Sequence, residues 1–230
     1  MGAYCCSDFH GCYNQWVKIK NSLKDDDILF ILGDCIDRKS DGFAILKEAY
    51  EDPRVILLCG NHEDMMMQAL QEEQEYDSFD YWGYIWFNNG GHITYSEWQE
   101  DGRDYSWIDR INRLPTSAEY TNSKGIKYLL SHSGVTPKWP APIDQLPRNL
   151  LIWDRDHLRE RRWHRSEDEY AIFGHTPVQC MDRYCNCEDK PAPLIFCDGH
   201  KINIDNGAVW DGQICLFNLE TGSYELIDGE

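Results

Sequence analysis

This chain of 230 residues lacks several features that would place it in a class at once. No apolar run approaches the roughly 20 residues of a membrane span, and no basic segment followed by an apolar stretch marks a secretory signal. We therefore expect no membrane partner and a cytoplasmic location. Basic residues are scarce, since 22 Lys and Arg stand against 40 Asp and Glu, a formal net charge of −18. Duplex nucleic acid, which needs a basic surface, is not an expected partner.

Internal repeats and low-complexity linkers are also missing, so the length predicts a single domain over residues 1–230. The ten cysteines are expected to be mostly free thiols, as in a reducing compartment. Four of them lie within 18 residues: Cys180, Cys185, Cys187 and Cys197. They could bind zinc, but their spacing lacks the usual Cys-x2-Cys pair, and free thiols in a loop are the favoured alternative.

Hydrophobic periodicity predicts an alternation of strands and helices. Five apolar runs are predicted as strands: residues 3–6, 28–32, 55–59, 126–130 and 171–173. Helices are predicted over 13–23 and about 40–50, and residues 65–115 are interpreted as a helical insertion or cap. The tail, from about 193 to 227, holds four short runs that predict an antiparallel meander. The first strands are apolar throughout, as strands covered on both faces are.

Polar side chains of metal-ligand type follow the five predicted strands. They are Asp8, His10, Asp34, Asn61, His62, His132 and His175. In open α/β sheets ligands gather at the carboxyl ends of strands, and carboxylates, imidazoles and amides suit Mn²⁺, Fe²⁺ or Zn²⁺. Taken singly, each of these residues is better explained as part of a chance turn or as a core histidine. Together they predict two adjacent sites that share a carboxylate, an arrangement used for displacement at phosphorus.

These segments resemble those of the calcineurin-like metallophosphoesterases, and within them the phosphoprotein phosphatase branch. The matching motifs are Asp8-Phe9-His10-Gly11, Gly33-Asp34-Cys35-Ile36-Asp37-Arg38, Gly60-Asn61-His62-Glu63, Ser131-His132-Ser133-Gly134 and Gly174-His175-Thr176-Pro177. The resemblance runs from residue 3 to about 218 and includes the Asn-Gly-Gly turn at 89–91. It departs from the family pattern at Ser7, where glycine is usual, and at Lys39-Ser40, where Gly-Pro is usual.

The resemblance implies an α/β fold, a four-layer αββα sandwich of two mixed sheets with a dimetal site at the strand ends. It implies two divalent ions, most often Mn²⁺, with Fe or Zn as alternatives. The ligands carried over are Asp8 and His10 for the first ion, Asp34 for both, and Asn61, His132 and His175 for the second.

The resemblance also implies in-line attack on phosphorus by a hydroxide that bridges the metals. His62 would then protonate the leaving group as general acid, and Asp37 would orient its imidazole. Arg38 would clamp phosphate oxygens, helped by the Asn61 amide and by a second arginine, for which we choose Arg155. A surface ion pair with a neighbouring aspartate is the alternative for Arg155.

The expected substrate is phosphoserine or phosphothreonine in proteins. The alternative is symmetrical hydrolysis of bis(5'-nucleosyl) tetraphosphates such as diadenosine tetraphosphate. The arginines of 148–165 could form a rim that attracts phosphate-rich substrates, or a solvated helix face. A cysteine phosphatase is excluded because no cysteine has Arg six positions later, and the Asp154-Arg155-Asp156 segment lacks the residue that follows an Asp-x-Asp nucleophile. The sequence does not indicate an oligomeric state.

Overall fold

Two mixed β-sheets form the centre of the molecule. The computed structural model describes residues 1–136, 138, 141–184 and 193–229. The strands in these ranges are β1 (Ala3–Cys6), β2 (Ile28–Ile31), β3 (Val55–Leu57), β4 (Ser117–Thr121), β5 (Lys127–Ser131), β6 (Glu169–Phe173), β7 (Leu194–Phe196), β8 (Lys201–Asn203), β9 (Gln213–Asn218) and β10 (Tyr224–Asp228). The first sheet has the order β10-β9-β1-β2-β3 and the second β4-β5-β6-β8-β7. The predicted α/β class with two mixed sheets is confirmed.

Helices connect these strands and cover the sheets. They are α1 (Tyr13–Ser22), α2 (Gly42–Glu51), α3 (Asn61–Tyr76), α4 (Tyr81–Asn88), α5 (Gly91–Glu100), α6 (Ser106–Asn112), α7 (Arg148–Ile152) and α8 (Ala208–Asp211). Helices α3–α6 lie between β3 and β4, where the sequence predicts helix. That this region is an insertion into a single domain stays a prediction. No helix of the described residues has the length and hydropathy to cross a membrane.

Parallel pairing brings the loops of the site to one edge of each sheet. In the first sheet β1 pairs with β2 and β2 with β3, with Cys6 opposite Ile31 and Ile31 opposite Leu57. In the second, β5 pairs with β6 and β6 with β8, also in parallel. Since parallel strands end at the same edge, the segments after β1, β2, β3, β5 and β6 meet there.

Alternation along the strands explains why they are apolar on both faces. Cys5 and Phe30 pack between the two sheets against Leu130, whereas Cys6 and Ile31 face the helices of the first sheet. On the second sheet the neighbouring Leu129 packs outward against α7. Helices therefore cover the outer face of each sheet, which is the layered arrangement that the resemblance implied.

Two details differ from the predictions. The four tail runs are not one meander, because β7 and β8 pair in the second sheet while β9 and β10 pair in the first. Residues 204–212 carry the chain from one sheet to the other. In addition, α3 begins at Asn61 and not near residue 65, so Asn61 and His62 occupy its first turn.

The cysteines in the described part of the chain are free thiols, as expected. Cys197 is buried and Cys180 is half-buried. Cys185 and Cys187 lie outside the described residues, so the alternative of a zinc site in this group stays a prediction.

Candidate metal and catalytic site

Backbone strain is concentrated at the candidate site. Six of its residues, none of them glycine, adopt positive φ angles: Asp8 (57°), His10 (46°), Asp34 (58°), Asp37 (72°), Arg38 (71°) and His175 (66°). Such conformations are uncommon for residues with a Cβ and persist where the surroundings hold them. The side chains of Asp8, His10, Asp34 and Asp37 are buried. The fold thus holds these loops in shapes that aim polar groups at one another.

The strand ends of both sheets contribute to one cluster of donor atoms. Asp34, His132 and His175 each offer an atom within 4.8 Å of the others. His132 Nε2 lies 3.4 Å from Asp34 Oδ2 and 2.9 Å from Asn61 Oδ1. His175 Nδ1 lies 2.7 Å from the same Asn61 oxygen. These are the four residues predicted for the second metal, and the structure brings them together.

A second cluster shares Asp34. His10, Asp34 and His62 offer donor atoms within 4.8 Å of one another, and His10 Nε2 lies 3.6 Å from Asp34 Oδ2. Asp8, predicted as a first-metal ligand, lies beside this trio with Oδ1 3.9 Å from His10 Nε2. Its carboxylate accepts hydrogen bonds from the His175 backbone N–H at 3.0 Å and from the Ser7 hydroxyl. The side chain of Ser7, where the family usually has glycine, thus contacts a predicted ligand.

The tautomers of two histidines show that the clusters suit cations. The Nδ1 atoms of His10 and His132 lie 2.8 Å from the carbonyl oxygens of Ile36 and Leu32. A carbonyl only accepts, so each Nδ1 carries a proton and Nε2 is the ring atom left to bind a cation. Both Nε2 atoms face Asp34 Oδ2 in a buried site, where a bound cation would lie between nitrogen and oxygen donors. Such a donor set fits divalent ions with nitrogen and oxygen ligands.

The pKa values of Asp34, His132 and His10 reflect burial and their mutual charge interactions. Burial acts to raise the pKa of Asp34, but the adjacent His132 and His62 outweigh it and hold that pKa well below its usual range. Burial acts to lower the pKa of His132, but the Asp34 carboxylate raises it to about 9. In His10, burial and the neighbouring His62 lower the pKa. Asp34 is therefore the centre of negative charge around which the imidazoles are arranged.

His62 and Asp37 form a buried pair next to the donor clusters. His62 Nδ1 donates a hydrogen bond to Asp37 Oδ2 at 2.6 Å, and His62 Nε2 lies 3.8 Å from Asp34 Oδ2. Burial alone would lower the pKa of His62, but Asp34 and Asp37 raise it above its ordinary value. Arg38 is exposed, and its Nη2 lies 3.2 Å from His62 Nε2. The residues predicted as general acid, as its orienting carboxylate and as a phosphate-binding arginine are therefore in contact.

Glu63, to which the sequence assigned no role, organises the loops around Asp34. Its carboxylate accepts hydrogen bonds from the backbone N–H groups of Asp34 and Cys35, both at 2.8 Å, and from Gly60 at 3.0 Å. A Cβ on Gly60 would lie 2.2 Å from Asp34 Oδ1, so only glycine fits there. The signal was present, because a Glu three residues after the N-cap supplies one half of a capping box, the hydrogen bond to the N-cap N–H.

Two further contacts to Asp37 come from helices that the sequence did not connect with the site. Trp86 on α4 donates its indole N–H to the carboxylate, and Thr94 on α5 accepts a hydrogen bond from the Asp37 backbone N–H. The only available signal was their position on either side of the Asn-Gly-Gly turn.

Arg155 is half-buried at the edge of the site. Its Nε donates to Thr176 Oγ1 at 3.1 Å and its Nη2 to the His175 carbonyl at 3.4 Å. Among the described residues, the ion pair of this segment joins Asp156 to Arg159 and not to Arg155. Arg155 therefore lies beside a predicted ligand, and its binding of phosphate stays a prediction.

The other arginines of 148–165 divide into two groups. Arg148 pairs with Asp64 at 3.1 Å and Arg165 with Glu169 at 2.9 Å, so both are engaged. Arg159, Arg161 and Arg162 are exposed in a 3-10 turn and the loop after it. Their exposure agrees with the alternative of a solvated face, although the helical part is only a short 3-10 turn, and a rim that attracts phosphate stays a prediction.

Comparison with known sequences places this geometry in context. The family model of calcineurin-like phosphoesterases matches residues 1–209. Serine/threonine-protein phosphatase 1 of Salmonella typhimurium is 25% identical over 223 residues, which cover 93% of this chain and 89% of that relative. A symmetrical bis(5'-nucleosyl)-tetraphosphatase of Buchnera aphidicola is 26% identical over 180 residues, 75% of this chain but 55% of that relative. The chain thus matches about half the length of the tetraphosphatase.

Solved structures show the same fold. A protein described as a diadenosine tetraphosphatase superposes with a TM-score of 0.65 at 13% identity, covering 100% of this chain and 94% of that chain. A serine/threonine phosphatase of Saccharomyces cerevisiae superposes with a TM-score of 0.53 at 12% identity, covering 99% and 80%. At these identities the likeness concerns the fold alone. With a family model that matches most of its length, this chain belongs to the calcineurin-like phosphoesterases.

Proposed function

We propose that this phosphoesterase hydrolyses phosphomonoesters and that its substrates are phosphoserine and phosphothreonine in proteins. One observation carries the proposal. Donor atoms of His132 and His175 lie on one side of Asp34 and that of His10 on the other, and the His62 ring, backed by Asp37, faces the same carboxylate at 3.8 Å. A proton donor therefore lies where two cations and a phosphate would meet.

In this proposal Asp8 and His10 hold one divalent ion, Asp34 holds both, and Asn61, His132 and His175 hold the other. Mn²⁺ is the proposed metal, with Fe or Zn as alternatives. When bound, the two ions supply a water of lowered pKa and offset the negative charge of the phosphate. Carboxylate, imidazole and amide donors suit all three metals, so the choice rests on resemblance.

Side chains of the protein bind the phosphate and protonate the leaving group. Arg38, Arg155 and the Asn61 amide bind phosphate oxygens and align the ester bond. As the oxygen of water attacks phosphorus, the bond to the leaving oxygen breaks in line with it. His62 Nε2 gives a proton to the leaving oxygen, and Asp37 keeps the opposite ring nitrogen engaged. The products are the free alcohol and inorganic phosphate.

The protein-phosphatase assignment is supported by the relative that matches along nearly its whole length. The Salmonella typhimurium phosphatase shares 93% of this chain and 89% of its own length in the alignment. The tetraphosphatase relatives align over a smaller share of theirs. The longer alignment therefore favours the phosphatase as the model for this chain.

A second candidate, hydrolysis of dinucleoside tetraphosphates, is favoured by a cavity of about 580 Å³ beside α3. Tyr81, Trp82 and Trp153 line it together with Arg148. Aromatic faces and guanidinium groups stack on nucleobases. Trp153 is two residues from Arg155, so a base in this cavity would be close to a bound phosphate.

Turnover of Mn²⁺-loaded enzyme on a phosphoserine peptide, a phosphotyrosine peptide and diadenosine tetraphosphate tests the proposal. We expect the highest kcat/KM on the phosphoserine peptide. A strong preference for the dinucleotide, together with a raised KM for it alone in Trp82→Ala, would replace the first candidate by the second. Absence of hydrolysis of every phosphoester would contradict both.

A further inference from the structure

The carboxylate of Asp37 is held from two sides. Its Oδ2 accepts hydrogen bonds from His62 Nδ1 at 2.6 Å and from Trp86 Nε1 at 2.9 Å, and its Oδ1 lies 3.1 Å from the same indole nitrogen. Asp37 and Trp86 are both fully buried. A buried carboxylate needs such donors, and an indole offers one N–H in a fixed direction. Trp86 therefore determines how the carboxylate faces the imidazole.

The backbone of Asp37 is held as well. Its N–H donates to Thr94 Oγ1 at 2.9 Å, and Thr94 is fully buried on α5. Asp37 has a φ of 72°, a conformation that costs energy for a residue with a Cβ and that the surroundings must maintain. Thr94 supplies one of the contacts that maintain it.

A glycine in the turn between α4 and α5 leaves space for the Trp86 indole. A Cβ on Gly91 would lie 2.4 Å from both Cδ1 and Nε1 of Trp86. Any side chain at this position would therefore displace the indole. The ring also stacks on Phe87, with centroids 5.5 Å apart, which restricts its rotation. Gly91 thus leaves room for the indole N–H to reach Asp37.

We propose that Trp86, with Thr94, is a positioning residue for proton donation by His62. The inference rests on the proposed function, in which His62 protonates the leaving oxygen. By holding Asp37 on Nδ1, Trp86 keeps Nε2 of the ring directed at the ester. Without the indole N–H, the carboxylate gains rotational freedom and keeps one hydrogen bond fewer, so His62 spends less time in its productive orientation.

The test compares leaving groups of different acidity in Trp86→Phe, which keeps a ring but removes the N–H. A serine alkoxide needs a proton as it leaves, whereas a dinitrophenolate does not. We expect kcat on a phosphoserine peptide to fall roughly tenfold, a part of the about 10²–10⁴-fold that a general acid contributes, and kcat on dinitrophenyl phosphate to stay unchanged. An equal loss on both substrates would show a structural role only and overturn the inference, as would no loss on either.

Trp98→Phe is the matched control. Trp98 is also fully buried in the same group of helices, but its indole N–H donates to the Asp104 carbonyl at 3.1 Å. Any general effect of removing a buried indole should appear in both variants, whereas the difference between leaving groups should appear only in Trp86→Phe. For Thr94 we expect the same difference in Thr94→Val and its rescue in Thr94→Ser, which restores a hydroxyl. A difference as large in Trp98→Phe would overturn the inference.

A second readout does not depend on activity. In ¹H–¹⁵N spectra of the metal-free protein, the indole signal that disappears in Trp86→Phe should shift in Asp37→Asn, while the signal assigned through Trp98→Phe should not. An unmoved Trp86 signal would overturn the positioning role even in an active phosphatase. If the signal shifts but no phosphoester is hydrolysed, the proposed function fails and the contact stands.

Discussion

The site has two halves that are built differently. The metal-donor half consists of the proposed ligands Asp8, His10, Asp34, Asn61, His132 and His175, and the proton-donor half consists of the proposed general acid His62 with Asp37, Trp86 and Thr94. The first follows directly from strand ends of two sheets, whereas the second depends on hydrogen bonds from α4 and α5. Sheet topology therefore places the metal donors, and the helices between β3 and β4 align the proton donor.

The largest effect that separates the halves should come from Asp34→Asn. Loss of the shared carboxylate charge should remove at least one bound ion and abolish turnover, a fall beyond the about 10²–10⁴-fold expected for a general acid. Native mass spectrometry after Mn²⁺ loading counts the ions. Asp41→Asn is the control, since Asp41 also has a positive φ but lies outside both halves. Two bound ions and full activity in Asp34→Asn would contradict the donor assignment.

His62→Asn tests the proton-donor half alone. It should retain both ions, because the proposed ligand sets do not include His62, and should lower kcat by roughly 10²–10⁴-fold on a phosphoserine peptide. His92→Asn, an exposed histidine of α5, should behave as the wild type. Near-full turnover in His62→Asn would contradict the general-acid role. Loss of an ion would instead make His62 a metal ligand, which its position beside His10 and Asp34 allows.

The two halves also differ in how well the sequence predicts them. Asp8, Asp34 and His132 each end an apolar strand, and parallel strands end at one edge, so their convergence follows from the pattern. Trp86 lies in an aromatic-rich helix where nothing in the periodicity distinguishes it from core residues. Its contact with Asp37 depends on how α4 packs on the sheet, which is a tertiary property.

The start of helix α3 and the partners of the tail strands are also harder to predict from the sequence. The helix α3 begins at Asn61 because the Glu63 carboxylate accepts a hydrogen bond from the Gly60 N–H. Hydrophobic periodicity does not show this capping contact. The division of the tail between two sheets depends on long-range pairing. Strand β9 joins β1 from the start of the chain, with Phe217 opposite Cys5, and no local pattern encodes that partner.

Substrate-binding arginines should give smaller effects. Hydrogen bonds to charged groups are worth about 1.5–3 kcal/mol, so Arg38→Ala and Arg155→Ala should each lower kcat/KM by roughly 10–100-fold. The number of bound ions should not change in either variant. Arg113→Ala, exposed after α6, is the control. A kcat/KM equal to that of the wild type in Arg155→Ala would contradict phosphate binding by Arg155 and leave only its contact with Thr176.

The smallest effect on activity concerns a buried lysine outside both halves, which should change stability alone. Lys201 on β8 is fully buried, and its Nζ donates to the His157 carbonyl at 2.7 Å and lies 2.8 Å from His157 Nδ1. Burial lowers its pKa from 10.5 to about 7, despite nearby Cys197, Glu160 and Asp154. Between these values the unfolded chain binds the proton that the folded one lacks, so the lysine favours folding more as pH rises.

The free energy of unfolding of wild type minus that of Lys201→Met should therefore increase from pH 7 to pH 10, by at most about 4 kcal/mol, and stay flat below pH 7. Denaturant titrations at several pH values measure it. Lys127→Met is the control, since its hydrogen bond to Glu119 raises the lysine pKa above 10.5, and its difference should stay constant from pH 7 to 9. A flat difference for Lys201→Met would show that the buried lysine stays charged.

The most direct test of the whole account is turnover of metal-stripped enzyme on a phosphoserine peptide as Mn²⁺ is added in measured equivalents. The account predicts no hydrolysis without metal and full turnover at two equivalents per chain, since Asp34 joins two donor trios. Full hydrolysis by the metal-stripped enzyme, or a plateau at one equivalent, would contradict the shared two-metal site.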